Sequence, residues 1–166
     1  MLQMRATRRL SAPLVSKGFL VITAIDFIAC LSAALFAGAA LYINLVEHPA
    51  RMRLNTAAAV AQWAPSYRRA TWLQAPLAVL SFVTGLAAWA LAGDIMWAIG
   101  ALLIGLVIPF TFLGIMPTNR RLLDPTCNPA SNEARALLET WAKLHAVRTV
   151  LSLAATALYL WSALRR

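Results

Sequence analysis

Four stretches of this chain, residues 19–46, 71–92, 95–116 and 146–164, each approach the roughly 20 mostly apolar residues that carry a helix across a bilayer. Hydrocarbon offers a backbone no water to bond to, so apolar runs of that length are helical when they span. The expected fold is therefore all-α: a transmembrane four-helix up-and-down bundle over residues 18–166, preceded by a basic N-terminal segment, residues 1–17. Composition agrees, since 61% of the 166 residues are hydrophobic, against about half in soluble domains.

The polar residues are distributed unevenly along this frame. Glu47, His48 and Arg51 close the first apolar run, and Tyr67, Arg68 and Arg69 open the second. Asn119, Arg120 and Arg121 close the third, while Trp141, His145 and Arg148 open the fourth. An up-and-down path brings all four of these ends to one side of the membrane. The other side receives Gly93–Asp94, a tight turn between antiparallel helices, and the two termini. One membrane face is thus the candidate working site.

Local signals refine the expected elements. Pro49 predicts a stop to the first helix at about Glu47, because the residue before a proline is pushed away from helical angles. Residues 54–67, rich in alanine with Trp63 and Pro65, read as a short interfacial helix between helices 1 and 2. The third helix is expected to end at Met116–Pro117 and lead into a loop with Pro125 and Pro129. Ser131 is a predicted N-cap, with Glu133 in the first turn behind it.

Two stripes carry polar groups along single helix faces. Asp26, Cys30, Ala33, Ala37, Asn44 and His48 follow spacings of four, three, four, seven and four. Trp141, His145, Arg148 and Ser152 follow four, three and four. Both spacings keep their members on one side of a 3.6-residue helix. Small and polar residues on such a stripe mark a face turned into a bundle. Ala33, Ala37, Gly85 and Gly105 permit close packing, either within one bundle or between protomers of a homo-oligomer.

A net charge of +9 would point to nucleic acid in a soluble chain, but here the Lys and Arg residues flank spans, their usual place in membrane proteins. Cys30 and Cys127 form no CxxC pair, which argues against thiol-redox chemistry. The first apolar run exceeds the core of a signal peptide and is read as a mature helix. Six basic residues fall on the terminal side and nine on the other. If several of the nine serve a site they are poor guides to orientation, and four positive charges before the first helix resist translocation. The expectation is an integral protein of a bacterial inner membrane with cytoplasmic termini, in contact with lipid.

Ionisable groups are costly in a membrane and usually pair or serve function. The plain structural reading is that Glu47 bridges Arg148 or Arg51 and locks helix 1 to helix 4. Asp26, deeper in helix 1, would find a backbone carbonyl or Thr84. His48 and His145 are the two histidines of the chain, and histidine exchanges protons near neutral pH. They are candidates for acid–base work, or with Glu47 for ligands of a transition metal, although no HxxxH or HxxE spacing supports a metal. A haem held axially by the pair is a further option. Trp63 and Tyr67, an i, i+4 pair, share a helix face and would wall a flat pocket. A belt of interfacial aromatics explains Trp72 and Trp141 equally well.

Gly38-x-x-x-Tyr42 leads into Glu47-His48-Pro49-Ala50-Arg51; Pro117-Thr118-Asn119 follows the third run; Trp141-x-x-x-His145-x-x-Arg148 opens the fourth. In this order the segments resemble the anthrone oxygenase-like family of small membrane proteins, over about residues 20–164. The resemblance implies a four-helix membrane protein, some of whose relatives oxidise an anthrone to an anthraquinone with molecular oxygen. It implies shared residues at Glu47, His48, Pro49, Arg51, Pro117, Asn119, Trp141, His145 and Arg148. The expected substrate is an apolar aromatic small molecule seated by Arg51, Trp63, Tyr67, Arg68 and Trp141, with His48, His145, Glu47, Asn119 and Arg148 as the catalytic candidates. No organic cofactor beyond oxygen is required, because the deprotonated tricycle can itself pass an electron to oxygen. If a metal is present, the histidines are its ligands instead. The competing readings are a non-enzymatic membrane assembly protein and a small proton-coupled transporter.

Overall fold

The computed structural model describes residues 17–166. The expected basic segment lies outside the described residues, apart from Lys17, which opens the first helix. Four long helices make up the fold: α1 Lys17–Arg51, α2 Thr56–Ala92, α3 Ile95–Leu122 and α4 Asn132–Leu164, each long and apolar enough to cross a membrane. Each packs on its chain neighbour and α4 returns to α1, so the bundle closes as a four-sided up-and-down ring. Large apolar side chains such as Trp72 and Leu113, 84% and 80% exposed, point outward. In water that surface would be an aggregation liability, whereas lipid satisfies it.

The turns follow local chemistry. Gly93 ends α2 at φ +71°, the left-handed conformation that glycine reaches without a side-chain penalty. Asp94 then caps α3 by accepting from the Met96 N–H at 3.0 Å. That bond holds its carboxyl below the usual carboxylate range. Asn55 caps α2 through the Ala58 N–H, and Ser131 caps α4 through the Ala134 N–H as its sequence position predicts.

Proline behaves differently from expectation. α1 does not stop before Pro49 but widens into a π turn at Ile43–Glu47 and continues to Arg51. α3 repeats the device, with a π turn at Thr111–Ile115 ahead of Pro117 and a continuation to Leu122. A proline removes one N–H and crowds the carbonyl four residues back. One wider turn absorbs both defects without exposing backbone to lipid. Nor is there a separate interfacial helix at 54–67. Residues 56–67 form the first part of α2, which runs unbroken through Pro65 and Pro76. α4 begins at Asn132, behind the expected Ser131 cap, and runs on through the apolar stretch at 146–164.

The core changes character along the bundle. At the terminal end small residues, Ala29, Ala33 and Ala88, pack with Trp97 and Tyr159. At the opposite end Ile43, Trp63, Ile115, Leu138 and Trp141 form a bulky cluster. At the terminal end Asp26 corrects another expectation: its partner is the Arg166 guanidinium, not a carbonyl or Thr84. Arg166 also donates to the Ala88 carbonyl at 3.1 Å and lies over the Trp97 ring. This ion pair ties α4 to α1 and α2 at the terminal end. Asp26→Ala is expected to strand the Arg166 charge and lower the melting temperature in detergent without altering the opposite face.

Candidate active site

The π turn of α1 sets the site. It lets α1 pass Pro49 and still present Asn44, Glu47, His48 and Arg51 towards α2 and α4. Asn44 reaches α4 directly, donating from Nδ2 to the Ala142 carbonyl at 3.1 Å. That bond orients its amide, so Oδ1 faces His145 Nδ1 at 2.8 Å and accepts from the Thr149 hydroxyl at 2.7 Å. An amide oxygen accepts only, so Nδ1 of His145 carries the proton. Its Nε2 is then the basic nitrogen. His145 is 2% exposed and lines a small cavity at this end of the bundle.

His48 has the opposite arrangement. Its Nδ1 stands 3.3 Å from a guanidinium nitrogen of Arg51, which can only donate, so Nδ1 is the acceptor. Both imidazoles pack on one indole, His48 at 5.6 Å and His145 at 4.8 Å from the Trp141 ring centre. Residues from distant parts of the chain do converge. His48, however, does not line the cavity that His145 faces.

The charges pair differently from a simple α1–α4 bridge. Glu47 accepts from Arg51 at 2.5 Å, within its own helix. Gln62 joins them, bonding both the Arg51 guanidinium and Glu47. Arg148 instead donates to the Gln74 side-chain oxygen at 2.8 Å and lies over the Phe36 ring at 5.3 Å. Among the described residues no carboxylate pairs with Arg148. A half-buried cation without a counter-ion is costly, and its retention points to use.

Trp63 and Tyr67 stack nearly parallel, 5.2 Å apart at 5°, forming the aromatic wall expected from their spacing. Trp141 meets Trp63 edge-on at 5.9 Å, and the Arg51 guanidinium also lies near the Trp141 ring. Arg68, one residue past Tyr67, is rotated about 100° around the helix. It is exposed and outside the cavity lining. Asn119 is fully buried at the end of α3, with neither side-chain atom partnered, and it does not line the cavity. The space between the lining residues is small, about 20 Å³, room for about one water molecule.

For a metal, the ligands do not fit. Among the described residues no group of three His, Cys, Asp or Glu side chains converges. His145 alone offers a free ring nitrogen, Nε2, while His48, whose Nδ1 accepts from Arg51, carries its proton on Nε2.

Sequence reasoning passed over Asn44, Gln62, Gln74 and Thr149 as site residues. Asn44 lay on the recognised stripe, and Gln74 is an amide within an apolar span, itself a signal of interior use. Asn44→Ala is expected to cost about 1–3 kcal/mol by leaving the His145 ring N–H and the Thr149 hydroxyl unpaired. Thermal unfolding in detergent reads that loss. Asn44→Asp keeps the acceptor but loses the donor to the Ala142 carbonyl and adds a charge within the span, so it should not restore the stability.

Fold and site together define a four-helix membrane bundle with a buried imidazole, a guanidinium that no carboxylate pairs among the described residues, and an aromatic wall at one face. The chain belongs to the anthrone oxygenase family, whose family model matches residues 63–158. The matched segment includes Trp63, Tyr67, Asn119, Trp141, His145 and Arg148, while Glu47, His48 and Arg51 precede it. The anthrone oxygenase tpcL of Aspergillus fumigatus is 44% identical over 62 residues, 36% of this chain and 38% of that relative. The chain thus matches well under half the length of this curated relative. No solved structure matches the chain.

Proposed function

We propose that this protein oxidises an anthrone-type aromatic to a quinone with molecular oxygen, with His145 as base and Arg148 as the cation that receives developing negative charge. The observation that carries the reading is the pairing of a tautomer-fixed imidazole with a counter-ion-free guanidinium in one aromatic-walled cavity.

The chemistry follows from those parts. An anthrone carries a CH₂ opposite its carbonyl, and its proton is acidic because the resulting charge spreads to the carbonyl oxygen. His145 Nε2 removes that proton, and the oxyanion is stabilised by Arg148. The electron-rich anion passes one electron to oxygen, giving a ring radical and superoxide, which couple to form a C–O bond. The imidazolium returns its proton to the peroxide. Loss of the second C–H proton with O–O cleavage then expels water and leaves the new carbonyl. One anthrone and one O₂ give one anthraquinone and one H₂O.

The space is far too small for a tricycle, so the ring system lies across the mouth against Tyr67, with its CH₂ towards His145 and its carbonyl towards Arg148. His48, capped by Arg51, acts as packing beneath Trp141. The transporter reading lacks its essential part: Glu47 is paired with Arg51 and Asp26 with Arg166, leaving neither carboxylate free to carry protons.

Oxygen uptake and quinone formation by purified protein in detergent test the proposal, using a simple anthrone against its background autoxidation. Equal amounts of oxygen consumed and quinone formed, above background, are expected. Turnover should survive prolonged chelation. No rate above background would overturn the oxygenase reading, and loss of rate restored by one added metal would overturn the base mechanism.

A further inference from the structure

We infer that the small cavity is a binding site for a small monovalent anion, held by Arg148 and Gln74, and that superoxide occupies it during turnover. The second part rests on the oxidative reading above; the anion site itself does not.

The argument starts from unpartnered donors. Gln74 is 2% exposed, and its oxygen is taken by Arg148 while its Nε2 has no hydrogen-bond partner. Arg148 Nε is buried and equally unpartnered. The indole nitrogens of Trp63 and Trp141 are also buried without a partner. All four residues line the same cavity. Buried polar atoms are nearly always paired in folded proteins, so four orphaned donors on residues that line one space favour an acceptor beside them. Each of these atoms is an N–H and therefore a donor. The site wants an acceptor.

Charge and size narrow the class. The guanidinium lacks a carboxylate among the described residues, so an anion would neutralise it. The Glu47 carboxylate also borders the cavity but is already engaged by Arg51 and Gln62. Room for about one water within the cavity suits the smallest anions. A monatomic or diatomic anion is of that size. In the proposed reaction superoxide is the diatomic anion formed beside the substrate, at the moment His145 holds the substrate proton as an imidazolium. A fixed cation there stabilises charge as it develops and holds the radical pair together for C–O bond formation.

Bromide is a suitable probe, being monovalent, small and a heavy-atom quencher of indole fluorescence. Titrated at constant ionic strength into the purified protein in detergent, it should produce a saturable quenching component above the linear response of exposed tryptophans. Arg148→Gln should weaken that component at least tenfold, whereas Arg120→Gln, an exposed cation outside the cavity, should leave it unchanged. Gln74→Leu, in case Arg148→Gln fails to fold, should weaken it several-fold. No saturable component in the wild-type protein, or one untouched by both cavity variants, would overturn the anion site. Bromide should also inhibit anthrone oxidation competitively against oxygen. Inhibition competitive only against the anthrone would overturn the assignment to superoxide while leaving the anion site standing. The binding measurement needs no turnover, so failure of the oxygenase reading is separately visible.

Discussion

Replacing His145 with alanine is expected to lower anthrone oxidation by about 10²–10⁴-fold, the usual contribution of a positioned general base. The effect should fall on turnover more than on the apparent substrate affinity, because the flat ring system is held by Tyr67 and the mouth of the cavity. Initial rates at varied anthrone concentration separate the two. His145→Ala also vacates the imidazole's volume beside a cavity that already admits a water, so added imidazole should restore part of the rate. Rescue is the decisive readout, since a protein that merely misfolds would not regain activity from a soluble base. His48→Ala should behave differently. It removes a buried ring from the Trp141 stack and lowers stability, yet the folded fraction should keep most of its rate. If His48→Ala abolishes turnover in folded protein and His145→Ala does not, the assignment of the base is reversed.

The contrast between the histidines shows where sequence reading stops. Their convergence was legible: the four-three spacing of Trp141, His145 and Arg148, and the four-residue step from Asn44 to His48, put both imidazoles on inward faces at one end. Their roles were not legible, because tautomers depend on partners from other helices. Asn44 and Ala142 lie 98 residues apart, and only the axial offset between α1 and α4 brings them together. A helical wheel gives rotation about an axis but no offset along it. The same blindness explains Arg148. Any of several polar groups at one membrane face was a plausible partner, and the observed Gln74 sits within an apolar run.

Proline was misread for a related reason. In water a proline at position 49 or 117 is a sensible helix stop, since solvent can bond the freed carbonyls. At or near lipid there is no such relief, and continuing the helix through one wide turn costs less than ending it. The spans themselves needed no such subtlety. Their length and apolarity follow from bilayer thickness alone, which is why the four-helix topology was readable, whereas the start of α2 was not.

The largest expected effect on stability lies far from the site, at the glycines beside Tyr159. A Cβ built on Gly85 would sit 1.9 Å from the Tyr159 hydroxyl oxygen and 2.5 Å from Cζ. One on Gly100 would sit 2.6 Å from Cε1 of the same ring. α2 and α3 approach α4 closely here because each offers only hydrogen to that edge of the tyrosine. The ring has nowhere to retreat: it is fully buried, lies 5.0 Å from Trp97, and its hydroxyl donates to the Ser81 carbonyl at 3.1 Å. Gly85→Ala is therefore expected to destabilise by about 1–3 kcal/mol or more, the range for overpacked cores. It should appear as a lower melting temperature and a lower yield of monodisperse protein in detergent. Gly100→Ala should behave similarly. Gly38→Ala, whose Cβ would meet nothing within 4 Å, should not. The double variant Gly85→Ala with Tyr159→Phe removes the closest clashing atom and should recover part of the loss. Recovery would assign the effect to that contact, whereas strictly additive destabilisation would place its origin in the α2 backbone instead.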